Sequence, residues 1–467
     1  MRHLISTCCL AAFFAWLPAA EADVADAEAD TGAESSLFPA GSVSGSVMYF
    51  QRHRERYRVD ESRFGSNLHH STLQTSVDYT SPFWQERIGV DLGVFATTDL
   101  VNTASPDHEM NFFPWDDPWH PDWSQKDARD GVSLYRANLK ARASFEGGDL
   151  WGKAGYFQPT GPGVLGVNWS LMPGTYQGVE AGSNLRGDWG AVALASACVT
   201  RYKAPWYRTV YAFRDDEKKR IDALWSVGAR YEAPAGYSVE LAYGKAADYR
   251  QNAHLKLKYQ RQKDAQDSLY LTYQFYAAGE GSAVRRDTAN DQYAGKWGSQ
   301  HYLALVRSID RYTLKTEFTY TRAPGNAPQH VGYFVYRLTG AYGGSNGAYE
   351  PWWDNRSDWN HNKERALFIS VTRNLNDLLP FAGMSVGASA ATGRGGRVYG
   401  VDESLKERAW SLDLGYTVPS GALKNTRVSL HYTHYDNKTH LPSWTGYKNL
   451  FQDERDLKFL LIVPWQL

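Results

Sequence analysis

Cysteine is nearly absent, with three in 467 residues, and two of these, Cys8 and Cys9, fall inside an N-terminal apolar run. Once that run is removed only Cys198 is left, so no intramolecular disulfide can form and the fold has to hold without cross-links. Also missing is any apolar stretch of about 18 to 20 residues, the length that a membrane-spanning helix needs. The run at 4–17 is shorter, follows Arg2 and His3, and ends at Ala20-Glu21-Ala22. It reads as a secretory signal peptide over residues 1–22, with its two cysteines too early to serve as a lipoprotein anchor. Charge of one sign is missing as well: 50 basic against 51 acidic residues give a net charge of −1, which excludes nucleic acid as an expected partner. No Gly-x-Ser-x-Gly or His-Glu-x-x-His string occurs, so no enzyme activity is expected. His69-His70 and His431-x-x-His434 lack cysteine or carboxylate partners at ligand spacing, so neither a metal nor another cofactor is expected.

What the chain has in abundance is aromatic. Phe, Trp and Tyr make up 14% of it, including 30 Tyr and 17 Trp. Tyr and Trp concentrate where a protein surface crosses from lipid to water. The last eleven residues, LKFLLIVPWQL, place Phe459, Leu461, Val463, Trp465 and Leu467 on one face of an extended strand. This pattern predicts the closing strand of a β-barrel in an outer membrane, where only strands that pair all round can satisfy their backbone groups in lipid.

The same alternation runs through most of the chain. In one segment Tyr135, Ala137, Leu139, Ala141, Ala143 and Phe145 are predicted to face lipid, leaving Arg136, Asn138, Lys140 and Arg142 to face inward. A second segment sets Ala253, Leu255, Leu257 and Tyr259 against His254, Lys256, Lys258 and Gln260. A charge facing lipid at mid-depth would cost roughly 2 to 4 kcal/mol, which decides these assignments. Nineteen segments of this kind are found, among them ones near Ile221 and at 333–338. Bacterial single-chain barrels close with an even number, so an all-β antiparallel barrel of about eighteen strands, sixteen being the alternative, is predicted over 41–467, with 333–338 assigned to a loop.

Short turns such as Glu146-Gly147-Gly148-Asp149 alternate with long polar connections at 97–130, 158–175, 201–220, 278–298, 339–365 and 436–455. That asymmetry separates periplasmic turns from extracellular loops. Residues 23–40 are Ala-rich and acidic with no strand pattern, and are expected to be a disordered tail.

Three clusters carry candidate chemistry. The first contains Trp115, Asp116, Trp119, Asp122 and Trp123, the second Trp352, Trp353, Asp354, Arg356, Asp358 and Trp359, and the third centres on Trp444. A pyranose stacks its C–H face on an indole and offers hydroxyls to carboxylates and amides, so Trp interleaved with Asp is sugar-binding composition. The competing reading is interfacial girdle or loop packing, which uses many Trp but has no need of acids. The segment 158–174 is too rich in Gly and Pro for a hairpin turn and too apolar for an exposed loop, which predicts a loop folded into the lumen. Asn168 and Trp169 would then line a constriction facing Arg136, Lys140 and Arg142. The competing reading makes the basic side chains wall charges balanced by acids. The expected partners are outer-membrane lipid and small solutes, in a monomer or trimer.

Residues 155–182 (GYFQPTGPGVLGVNWSLMPGTYQGVEAG), with YKAPW at 202–206, WWDNRSD at 352–358 and FQDERDLKF at 451–459, closely resemble the chitoporins of the OprD-type outer-membrane porin family. The resemblance extends over nearly all of the chain from about residue 41. It implies an eighteen-stranded barrel in the outer membrane of a Gram-negative bacterium, an inward-folded loop after Phe157, and passive uptake of chitin oligosaccharides. The broader family implies basic amino acids, peptides and small organic acids as alternative solutes. The chain departs from the pattern in ending on Leu467, where these porins usually end on Phe, and in its acidic N-terminal tail.

Overall fold

The structure, a computed structural model, describes residues 41–56, 67–102, 130–168, 171–205, 210–264, 266–285, 292–325, 332–340, 344–397, 404–439 and 453–467. The segments predicted as signal peptide and acidic tail lie outside these residues. Eighteen long strands run in chain order: Ser42–Arg56, Asn67–Thr80, Ile88–Asn102, Asp130–Phe145, Gly148–Phe157, Thr175–Gly187, Gly190–Lys203, Leu224–Glu232, Tyr237–Ala246, Arg250–Asp264, Asp267–Glu280, Trp297–Ile309, Tyr312–Arg322, Arg365–Asn374, Met384–Arg397, Ser404–Thr417, Arg427–Asn437 and Glu454–Gln466. Each pairs antiparallel with the next. The circle closes where Ser44 pairs with Gln466 and Arg56 with Glu454. Closure leaves no sheet edge to be satisfied by lipid.

The distribution of side chains is the reverse of a water-soluble core. Leu139, Leu241, Leu303 and Leu412 are each more than half exposed on the outside. Arg52, Gln74, His254, Lys256, Gln300 and Glu317 are buried on the inside. Between alternating faces of one strand, this arrangement fits a hydrocarbon exterior and a polar interior. Aromatic pairs gather beside the short turns, where Trp189 stacks on Tyr231 at 6.2 Å and Tyr237 meets Tyr259 at 4.6 Å. Both chain ends of the barrel lie at that end too, which marks it as periplasmic.

Two predicted details are corrected. Tyr135 does not face lipid: the register slips between Gly93 and Val94, so Tyr135 and Arg136 together oppose one residue of the neighbouring strand. This β-bulge turns Tyr135 inward, where its hydroxyl donates to Asp78, and turns Leu134 outward in its place. The strand expected near Ile221 runs from Leu224, and Arg220–Ile221 is only a two-residue piece paired with Tyr211–Arg214. Residues 333–338 form no strand, only an isolated bridge from Tyr333 to His361.

Candidate functional site in the lumen

After Phe157 the chain turns into the barrel. Glu180, projecting from the wall, accepts hydrogen bonds from the backbone N–H groups of Thr160 at 3.0 Å and Gly161 at 2.9 Å. The N–H of Val164 donates to Ser226 Oγ at 2.8 Å. A Cβ added at Gly228 would come within 2.5 Å of the Pro162 carbonyl oxygen, so the wall carries no side chain where the loop leans on it. Val164 and Leu165 pack into an aromatic cluster with Phe157, Tyr176 and Tyr202. Leu171 and Met172 pack with Met48, Phe50, Phe95 and Leu460 on the first, third and last strands. The loop therefore reaches two sides of the lumen and narrows it, as its composition predicted. Asn168 does not face the passage: Tyr202 donates to its side-chain oxygen at 2.7 Å and accepts from its backbone N–H at 2.8 Å. Trp169 lies outside the described residues.

A second luminal loop was not anticipated. The connection between Tyr312–Arg322 and Arg365–Asn374 also descends into the barrel, where Asn346–Gly347 pairs antiparallel with Leu165–Gly166. Tyr176 from the wall donates to the Asn346 carbonyl at 2.8 Å. Glu350 accepts from Lys256 at 2.6 Å and from Gln274 at 2.5 Å. The sequence 352–359 anchors this loop. Trp353 stacks on Phe368 at 5.3 Å and meets Trp359 at 5.6 Å, and the two indoles are only 3% and 2% exposed. Asp354 pairs with Lys458 and Arg356 with Glu454. Trp353 and Trp359, expected as stacking platforms, are thus covered by protein, while Trp352 and Asp358 keep partial exposure. The reason is topological: composition shows an aromatic and acidic loop, but not that it folds inward. Trp115, Asp116, Trp119, Asp122, Trp123 and Trp444 lie outside the described residues.

The same loop ends in a buried ion cluster. His361 Nδ1 lies 3.1 Å from Glu364 and 3.6 Å from Glu407, to which Tyr435 also donates. Burial alone would push the His361 imidazole down, but hydrogen bonds and charge from both carboxylates overcome this and raise its pKa to about 10. Among the described residues, this trio brings together ligand-type atoms, within 4.8 Å of one another, that could hold a metal ion. Burial, and then the charge of Glu407, hold the Glu364 carboxyl well above the usual carboxylate range, so His361 serves Glu407 as a cation and Glu364 as a hydrogen-bond partner.

Several inward basic residues are compensated where they stand. Arg136 pairs with Asp78, Lys140 with Asp91 at 2.8 Å, and Lys153 approaches Glu180 at 3.9 Å. Arg230 pairs with Glu232 at 2.9 Å. Arg142 differs, donating to the Glu86 carbonyl at 3.1 Å while its guanidinium sits 4.3 Å from the Phe83 ring centre. Below the first loop, toward the short turns, the wall encloses a cleft of about 300 Å³ lined by Phe83, Lys140, Trp151, Lys153, Thr160, Asn184 and Arg230. Trp151 was missed by sequence reading. Its signal was parity: Leu150 and Ala154 face out, so Trp151 and Lys153 face in.

Comparison with known proteins gives consistent results. A family profile described as outer membrane porin, OprD family, matches residues 41–453. A chitoporin of Escherichia coli (strain K12) is 37% identical over 443 residues, 91% of this chain and 92% of that one. Among solved structures, Acinetobacter baumannii OccAB3 superposes with a TM-score of 0.70 at 16% identity, covering 91% of this chain and 99% of its own. Pseudomonas aeruginosa OccK9 (OpdG) gives 0.68 at 15% identity, covering 91% and 98%.

Proposed function

The chain belongs to the OprD family of outer membrane porins, and on that premise we propose that this channel carries chitin oligosaccharides passively across the outer membrane. It is a Gram-negative outer-membrane porin, so the open question is the solute. The related chitoporin supports oligomers of N-acetylglucosamine, which are neutral. The observation that carries the reading here is the local pairing of Arg136, Lys140 and Lys153 with Asp78, Asp91 and Glu180. Where wall cations are matched by adjacent carboxylates in this way, the wall offers a neutral sugar many hydrogen-bonding groups and gives an anion little net attraction. Of the remaining candidate site residues, Arg136, Lys140 and Arg142 serve as polar wall, and Trp115, Asp116, Trp119, Asp122, Trp123 and Trp444 as sugar contacts, a role that Trp353 and Trp359, covered by protein, do not take.

Arg142, bonded to a carbonyl and not to a carboxylate, favours a second reading in which small organic acids pass. Swelling of proteoliposomes in N-acetylglucosamine oligomers, basic amino acids and organic acids, compared side by side, separates the two. Faster swelling in the sugar oligomers than in charged solutes of similar size supports the first reading. The reverse order supports the second.

A further inference from the structure

The cleft beneath the constriction contains an aromatic surface separate from the loop clusters. We propose that Trp151, with Phe83 lining the same cleft, forms a stacking subsite for one N-acetylhexosamine ring on the periplasmic side of the constriction loop. This deepens the chitin reading and rests on it.

The position of the indole is built into the strand pairing. Trp151 pairs with Gly182 on the next strand, and a Cβ at Gly182 would lie 2.5 Å from indole Cζ2 and 2.7 Å from Cε2. Both are inward positions, so the glycine leaves room for the ring to lie against the wall where any side chain would collide with it. On the loop side, a Cβ at Gly161 would lie 3.2 Å from Cη2, so here too a glycine lets the backbone come close to the ring. The indole is partly exposed and borders the cleft, unlike the buried Trp353 and Trp359. Polar groups ring it in the pattern a sugar needs. Lys153 Nζ donates to Thr160 Oγ1 at 2.6 Å and lies 5.8 Å from the indole centre, and Asn184 and Arg230 complete the rim.

The chemistry narrows the ligand. A pyranose presents an apolar C–H face to an aromatic ring and equatorial hydroxyl and acetamido groups to surrounding donors and acceptors. A volume of about 300 Å³ sits at the bottom of the range for ligand pockets and has room for one ring at a time. An oligomer threading past the loop would therefore park its leading ring here while the following rings are still in the constriction. One such contact per chain lengthens its stay without trapping it, because each ring is replaced by the next.

The test is single-channel recording of the full-length protein with an N-acetylglucosamine hexamer. Trp151→Ala should shorten the hexamer's blocking time by about tenfold or more, as expected for loss of one aromatic stacking platform, while Trp151→Phe keeps most of it. Heat-modifiable migration on a gel should stay as in the unaltered protein. Phe83→Leu should shorten blocking more modestly and serves if Trp151→Ala assembles poorly. Blocking of the unaltered channel with no change in Trp151→Ala, or in Phe83→Leu where Trp151→Ala does not assemble, overturns the subsite alone. No blocking of the unaltered channel overturns the chitin reading, and the subsite falls with it.

Discussion

Arg52 and Asp456, 404 positions apart, meet in a buried bidentate pair that joins the first strand to the last, with Nε to Oδ1 at 2.7 Å and Nη2 to Oδ2 at 2.5 Å. Their side chains are 3% and 2% exposed. Asp456→Ala takes the carboxylate away from a buried guanidinium at the seam where the barrel closes. Removing one partner of a buried pair costs about 3 to 5 kcal/mol, so the urea midpoint of refolded protein in detergent should fall clearly. An unchanged midpoint would show that closure does not depend on this pair.

The two faces of the fourth strand can be distinguished by placing a charge on each. Leu139→Arg puts a guanidinium into lipid near mid-depth and should cost about 2 to 4 kcal/mol, read as reduced folded yield in lipid vesicles. Leu134→Arg should also destabilise, because the bulge at Tyr135 turns residue 134 outward. Normal folding of Leu134→Arg would mean that the strand runs without that bulge.

The constriction can be opened without breaking a strand. Deleting residues 160–171 removes the bonds to Glu180 and Ser226 and the pairing of Leu165–Gly166 with Asn346–Gly347, but leaves every long strand intact. Conductance should rise by about twofold or more, since a pore's resistance is set by its narrowest part. Conductance unchanged within error would place the loop outside the conducting path.

Alkaline pH should loosen the second luminal loop. The pKa of His361 is raised from 6.5 to about 10. A base whose folded pKa is raised contributes stability that is complete below its unfolded value and is lost as pH rises through the folded one. Open-channel noise should therefore be low at pH 6 and grow between about pH 7 and pH 10. His361→Gln, which leaves Glu407 without its cation, should be noisy already at neutral pH. Noise that stays flat through this range would show that the triad does not hold the loop.

Much of this was legible in the sequence because a strand in lipid has to alternate. Leu255 and Leu257 against Lys256 and Lys258 gave the faces directly, and the turn lengths gave the two ends of the barrel. Alternation fails where pairing inserts a residue. Nothing in the string around Tyr135 announces that it and Arg136 share one partner, so a tyrosine that donates to Asp78 read as lipid-facing. Composition of a loop likewise does not give its direction. The run 158–174 was readable as luminal because it is apolar as well as rich in Gly and Pro. The run 352–359 is polar enough for an exposed loop, and only Lys458 and Glu454, about a hundred positions away, explain why Asp354 and Arg356 are found inside. Trp151 went unnoticed because one aromatic in a strand carries no motif, and its setting over Gly182 exists only once the strands are paired.

The most direct measurement of the account is current through single channels in a planar bilayer, first empty and then with neutral N-acetylglucosamine oligomers on one side. A passive porin for chitin oligosaccharides should give stable ion-conducting steps that the oligomers interrupt, with interruptions lengthening from dimer to hexamer and insensitive to Arg142→Gln. Steps that no neutral oligomer interrupts, but that organic anions block in a manner abolished by Arg142→Gln, would contradict it.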